Sequence, residues 1–181
     1  MTTYIAFLRG INVGGQKQIK MVDLKNLFLF LDFENVRTYI QSGNVVFETD
    51  CKEILSLNKK IESVILKEMG LEVSVIIRSH EELKSIIRSN PFLTREENKL
   101  TALYVTLLSQ QPSESFLEKV SEYNYAPDDF KIIENEIYLY CPNGYGKTKL
   151  NNTFFENKLK LKATTRNWRT INELDEMAVL F

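Results

Sequence analysis

Apolar and polar positions along this chain follow two rhythms, one of period two and one near 3.6, and the rhythm changes at glycine- and proline-bearing turns. Residues 3–8 (TYIAFL) are a β-branched and aromatic run that predicts a strand. The turn LRGINVGG (8–15) follows, and then Met21, Leu24, Phe28 and Leu31 recur on one helical face. Residues 35–40 (NVRTYI) and 44–48 (NVVFE) predict two strands joined by Gln41-Ser42-Gly43 as a hairpin. Asp50-Cys51-Lys52-Glu53 reads as a capping box for a helix that turns Ile54, Leu57, Ile61, Ile65 and Met69 inward and stops at Gly70. Residues 72–78 (EVSVIIR) predict a strand. Ser79-His80-Glu81-Glu82 is a second capping box, opening a helix that Asn90-Pro91 stops.

The second half repeats the order. Residues 101–108 predict a strand, and Pro112-Ser113 opens a helix carrying Phe116, Leu117 and Val120. Residues 129–133 and 136–140 predict a hairpin across Glu134-Asn135. The loop 141–146 leads to a helix expected from about Thr148, with Leu150, Phe154 and Leu159 on its apolar face, and residues 161–166 predict the last strand. Asn167 is a natural N-cap for a closing helix lined by Trp168, Ile171, Leu174 and Ala178. Two runs of β-α-β-β-α-β predict an α+β fold of two tandem ferredoxin-like (βαββαβ) repeats, with antiparallel sheets and a C-terminal helix. The first unit is expected over residues 1–90 and the second, with the closing helix, over 91–181.

Composition narrows the function classes. A chain of 181 residues is long enough for one ordinary domain or two small ones, and its 44% hydrophobic and 26% charged residues are the make-up of a soluble globular protein. No apolar run is long enough to span a bilayer, and the start MTTYIAFLRG lacks a basic leader, so a cytoplasmic address with no membrane partner is expected. The two cysteines, Cys51 and Cys141, have no CxxC spacing and read as reduced structural thiols. The net charge of −1 does not favour a nucleic-acid partner, since generic duplex binders carry a large positive excess. The charge is uneven, however: between Lys147 and Arg169 seven basic residues face only Glu156.

Candidate chemistry concentrates in turns. In LRGINVGG, glycines let a backbone approach a ligand, and amides at a helix start attract anions, which Arg9 and Lys17 could clamp. The alternative is a plain corner. Tyr145-Gly146-Lys147-Thr148 ends like a phosphate-binding P-loop, but Cys141 stands where that motif needs glycine, so a P-loop is excluded. What remains is a glycine-flanked turn with Lys147 and Lys149. The hairpin residues Gln41, Ser42 and Asn44 offer amide and hydroxyl groups. Thr164-Thr165-Arg166-Asn167-Trp168 combines hydroxyls, a guanidinium, an amide and the sole tryptophan. Catalytic patterns are missing: the single histidine, His80, sits in a capping box, and the acidic pairs Glu81-Glu82, Glu96-Glu97 and Asp128-Asp129 fit helix starts and turns. Neither a cofactor nor a metal is expected.

LRGINVGG, IKMVDL, VRTYIQSGNVVF, NPF, YGKTKLNN and ATTRNW together resemble the bacterial domain-of-unknown-function family 1697, over Tyr4 to about Trp168. The resemblance implies a stand-alone bacterial protein and names no substrate and no catalytic residue. It implies that Arg9, Asn12, Gly14, Gly15, Gln41, Ser42, Gly43, Asn44, Arg166, Asn167 and Trp168 belong to the family pattern. The tail RTINEL departs from that pattern and sets Arg169 aside.

The leading expectation is a binding module for a small anionic or phosphate-bearing, nucleotide-like ligand, held by Arg9, Asn12, Gly14, Gly15, Lys17, Gln41, Ser42, Asn44, Lys147, Arg166 and Asn167. One alternative is a transferase or hydrolase of such a ligand, using Tyr39, Arg9 or Arg166. Another is single-stranded nucleic-acid binding on an open sheet, which needs exposed aromatics such as Phe7 and Phe47. Sequence leaves the oligomeric state open.

Overall fold

The computed structural model describes residues 1–94 and 99–179, so Glu96 and Glu97 lie outside the described residues. In chain order, the first half holds β1 (Thr2–Leu8), α1 (Met21–Phe30), β2 (Glu34–Tyr39), β3 (Asn44–Thr49), α2 (Ile54–Met69), β4 (Val75–Ser79) and α3 (His80–Arg88). Its four strands form an antiparallel sheet in the order β2-β3-β1-β4. Alternate strand residues Tyr4, Ala6, Leu8, Val45, Phe47 and Ile77 join Leu24 and Phe28 of α1 and Leu57, Ile61 and Ile65 of α2 in one core. Phe47 centres an aromatic cluster, 4.6 Å from Phe33 and 5.3 Å from Phe28 between ring centroids. The opposite set, Ile5, Phe7, Val46 and Ile76, is buried too, which is why β1 reads as a continuous apolar run.

The second half holds β5 (Leu103–Leu108), α4 (Glu114–Ser121), β6 (Asp129–Ile133), β7 (Glu136–Tyr140), α5 (Asn152–Leu159), β8 (Ala163–Asn167) and α6 (Trp168–Val179). Its sheet has the order β6-β7-β5-β8, again antiparallel. The fold is therefore mixed α+β, with two four-stranded antiparallel sheets and a C-terminal helix. Register is alike in both: Arg78 of β4 lies opposite Ile5, and Arg166 of β8 lies opposite Val105. Trp168, Ile171, Leu174 and Ala178 are buried as their spacing predicts.

Helix ends follow local chemistry, with two corrections to the sequence reading. The box at Ser79 forms: Glu82 Oε2 accepts from the Ser79 amide at 2.6 Å, and the Glu82 amide donates back to Ser79 Oγ at 3.2 Å. Asn167 Oδ1 accepts from the Thr170 amide at 2.7 Å, and Gly70 ends α2 at a φ of 66°. The box at Asp50 does not form. Helix α2 starts behind Glu53 without a side-chain cap, and Asp50 pairs instead with the terminal ammonium at 3.4 Å. Nor does a helix start at Thr148. Tyr145–Lys147 form one 3-10 turn, the Thr148 hydroxyl accepts from the Leu150 amide, and α5 begins only after Asn151, whose Oδ1 accepts from Phe154 N at 3.0 Å. Lys147 thus lies in the 3-10 turn and not in the first turn of α5.

Contacts divide the chain into two compact units, Met1–Ser85 with Glu173–Phe181, and Ile86–Asn172. The end of α6, expected in the second unit, belongs with the first, where Asp175 Oδ1 meets His80 Nε2 at 2.8 Å. Among the described residues no helix is long and apolar enough to cross a membrane.

Candidate functional site

The opening turn is a small folded tab. Val13 and Gln16 bridge around Gly14-Gly15, whose φ angles of 59° and 76° are both positive, as a two-residue I′ hairpin turn requires. Asn12 closes the base of the tab. Its Nδ2 donates to the carbonyls of Ile19 at 2.9 Å and Gln41 at 2.8 Å, and its Oδ1 accepts from the Ile19 amide at 2.8 Å. Both amide donors are thereby used within the fold. Lys17 lies at the far edge, its ammonium donating to the Glu72 carbonyl.

The hairpin after β2 locks against this tab. Asn44, fully buried, donates from Nδ2 to the Tyr39 carbonyl and to Ser42 Oγ, each at 3.0 Å. The Leu8 amide donates to the Gly43 carbonyl at 2.8 Å. A Cβ on Gly43 would lie 2.6 Å from Ile11 Cδ1 and 2.8 Å from Leu8 Cβ, so only glycine fits there. The two motifs that stand thirty residues apart in sequence are one interlocked structure.

Beside it opens a cleft of about 1060 Å³, between residues 12–20, α1 and the end of α2. Val22, Leu27, Phe30, Met69 and Leu71 give it an apolar floor, and Phe30 remains 69% exposed. Gln18, Lys20, Asn26 and Gln41 supply polar groups, with the carboxylates of Asp23 and Glu68. Helix α1 starts at this cleft with no side-chain cap from Lys20, and Asp23 occupies its first turn.

Of the expected ligand residues, Asn12, Gly15 and Gln41 line the cleft; Arg9, Gly14, Lys17, Ser42 and Asn44 do not. Sequence reasoning missed Gln18, Lys20, Asn26 and the apolar floor. The exposed residues Val22 and Phe30 break the amphipathic pattern of α1, and that break was the available signal.

A family model described as "Protein of unknown function (DUF1697)" matches residues 1–138. The chain belongs to this family. A solved structure, that of a conserved bacterial protein from Streptococcus pneumoniae, is similar with a TM-score of 0.72 at 22% identity, covering 98% of each chain, which speaks to the fold alone. No curated protein matches the chain.

The DUF1697 match takes in the tab, the hairpin and the cleft, whereas Lys147, Arg166, Asn167 and Trp168 lie beyond it. Those four are dispersed in role. Asn167 is spent as a cap. Arg166 is buried, its Nη1 donating to Thr164 Oγ1 at 2.8 Å and the Thr165 carbonyl at 3.0 Å, and burial lowers its guanidinium to about 10. Thr165 Oγ1 donates to Asn152 Oδ1 at 2.7 Å and accepts from Tyr145 at 3.0 Å, so this hydroxyl joins strand to loop. Cys141 is buried, and desolvation pushes its thiol up to about 11, which keeps it protonated and inert. Phe7 and Phe47 are both fully buried, so neither ring is available to stack on a base.

Proposed function

We propose that the chain is a small-molecule binding protein whose site is the cleft beside the Asn12 tab. Its ligand carries an apolar body and a polar or monoanionic head. The observation that carries this reading is the cleft itself: a solvent-open apolar floor, including Phe30, bounded by carboxamides and by Lys20 at an uncapped helix start. Lys20 shares the lining with two carboxylates, Asp23 and Glu68, so the anionic or phosphate-bearing ligand expected from sequence is narrowed to one with a lower-charged head. Binding is favoured over catalysis because His80, Cys141 and the expected catalytic groups Tyr39, Arg9 and Arg166 all lie off the cleft.

The test is a thermal-shift titration with octanoate, octanol and inorganic phosphate. Octanoate and octanol should raise the melting temperature, phosphate should not, and Phe30→Asp should remove the shifts. Stabilisation by phosphate alone, or amphiphile binding that survives Phe30→Asp, overturns the reading.

We further infer that the two sheets are copies of one ferredoxin-like unit. Support comes from the shared strand order and from the matching positions of Arg78 and Arg166.

A further inference from the structure

The lysine-rich stretch after residue 146 has a second feature beside it. In the second unit a cleft of about 580 Å³ is lined by Asn124, Tyr125, Asp128, Asn143, Lys147 and Lys149, with Ala126 and Pro127 between. Tyr125 sits in an aromatic group. Phe154 meets it edge-on at 5.7 Å and 82°, and Tyr123 lies nearly parallel to it at 6.0 Å and 20°. The Lys149 ammonium lies over the Tyr125 ring, 5.6 Å from its centroid, and Lys158 lies over Tyr123 at 4.6 Å. An exposed lysine–ring contact is weak, so Lys149 can leave the ring for a stronger partner.

We propose that this cleft takes a nucleotide unit, with its base against Tyr125 and its phosphate between Lys147 and Lys149. Several observations converge. The cleft's charged side chains are two lysines and one carboxylate, Asp128, a positive balance where the first-unit cleft is negative. With described residues neither lysine forms an ion pair, and both are exposed. A ring that already holds a cation on its face and is braced by two further rings is a rigid stacking platform. Asn143, exposed, brings a carboxamide able to read a base edge, for which adenine is the matching partner, while Asn124 Oδ1 accepts from the Ala126 amide at 3.1 Å and leaves its Nδ2 as a donor. In sequence the basic run continues through Lys158, Lys160 and Lys162 with only Glu156 against it, and Lys158 donates to the Tyr123 hydroxyl. The net charge of −1 does not favour a generic duplex binder; it does not bear on one local site.

Calorimetric titration of the full chain with AMP, a short single-stranded oligoadenylate and inorganic phosphate tests this. Both adenine ligands should bind more tightly than phosphate. AMP and oligoadenylate binding equally marks a free nucleotide as the source, and tighter, strongly salt-dependent oligoadenylate binding marks a strand. Tyr125→Leu should weaken either by about five- to a hundredfold, as loss of one base–ring stack implies, and Tyr125→Phe should restore it. Because Tyr125 also packs on the unit's core, the exposed pair Lys147→Ala with Lys149→Ala gives a fold-neutral arm that should weaken binding and flatten its salt dependence. No binding of either adenine ligand, phosphate binding as tightly as AMP, or affinity unchanged in the lysine variant overturns the proposal. The first-unit cleft shares none of these residues, so its reading stands or falls separately.

Discussion

Asn12 donates to the carbonyl of Gln41 at 2.8 Å, joining the first glycine turn to the hairpin after β2. With the paired bonds to Ile19, this carboxamide is a clamp. Asn12→Ala should therefore cost about 1–3 kcal/mol, since it strands two carbonyls and an amide. Asn12→Asp should cost at least as much, because it sets a carboxylate against the same carbonyls. Urea unfolding curves of the two variants check this. A loss below roughly 0.5 kcal/mol in both contradicts the clamp.

Gly43 and Gly14 both have positive φ, and they should respond differently to alanine. At Gly43 the new methyl meets Ile11 at 2.6 Å and Leu8 at 2.8 Å; at Gly14 nothing lies within 4 Å. Gly14→Ala should cost only the left-handed backbone penalty, about 1–2 kcal/mol. Gly43→Ala adds overpacking, about 1–3 kcal/mol more. Chemical denaturation of the pair measures the difference directly.

Stability should fall at alkaline pH. Burial raises the Cys141 thiol to about 11 from an ordinary 9, and burial also raises the Tyr138 phenol, whose hydroxyl donates to the Ile86 carbonyl at 3.0 Å. Between those values the folded state holds protons that the unfolded chain has released, so unfolding becomes easier as pH rises. The Cys141 share is full below about pH 9 and lost by about pH 11, at most about 3 kcal/mol. Melting curves of wild type and Cys141→Ala over that range should converge as pH rises, and a parallel pair contradicts the assignment.

Helix caps give a fourth comparison. Asn151→Ala should lose about 1 kcal/mol, because its side chain caps α5 at Phe154 N. Asp50→Ala should lose between 0 and about 1 kcal/mol, the usual worth of an exposed ion pair. The order reverses if the box at Asp50 forms in solution.

What sequence revealed was local. The β6–β7 hairpin matches its expected bounds residue for residue, because Glu134 and Asn135 mark the turn and alternation marks both strands. Ser79 and Asn167 were legible as caps because each side chain acts within three residues. Asp50 and Thr148 offered the same local chemistry, but other partners took them: the terminal ammonium for Asp50, the Leu150 amide for Thr148. The cleft was least legible. Its floor joins Val22 and Phe30 to Met69 and Leu71, and no periodicity shows that apolar side chains so far apart meet in the open. Asn12 and Gln41 were picked out as polar residues in turns. Both line the cleft, and only geometry shows that the Asn12 carboxamide is also the clamp, bonded to Ile19 and to the Gln41 carbonyl.

The division of the chain has a consequence for the order of synthesis. The unit that begins at Met1 also contains the segment from Glu173, and the bond between His80 and Asp175 spans 95 residues of sequence. A ribosome delivers β1 first, but the last helix of that unit emerges only after the whole of Ile86–Asn172 has been made. Until then the first unit waits with His80 unpartnered by Asp175, while the second has every one of its own residues in hand. The His80–Asp175 contact can therefore form only once the intervening unit has been made, and contacts of such long separation form slowly.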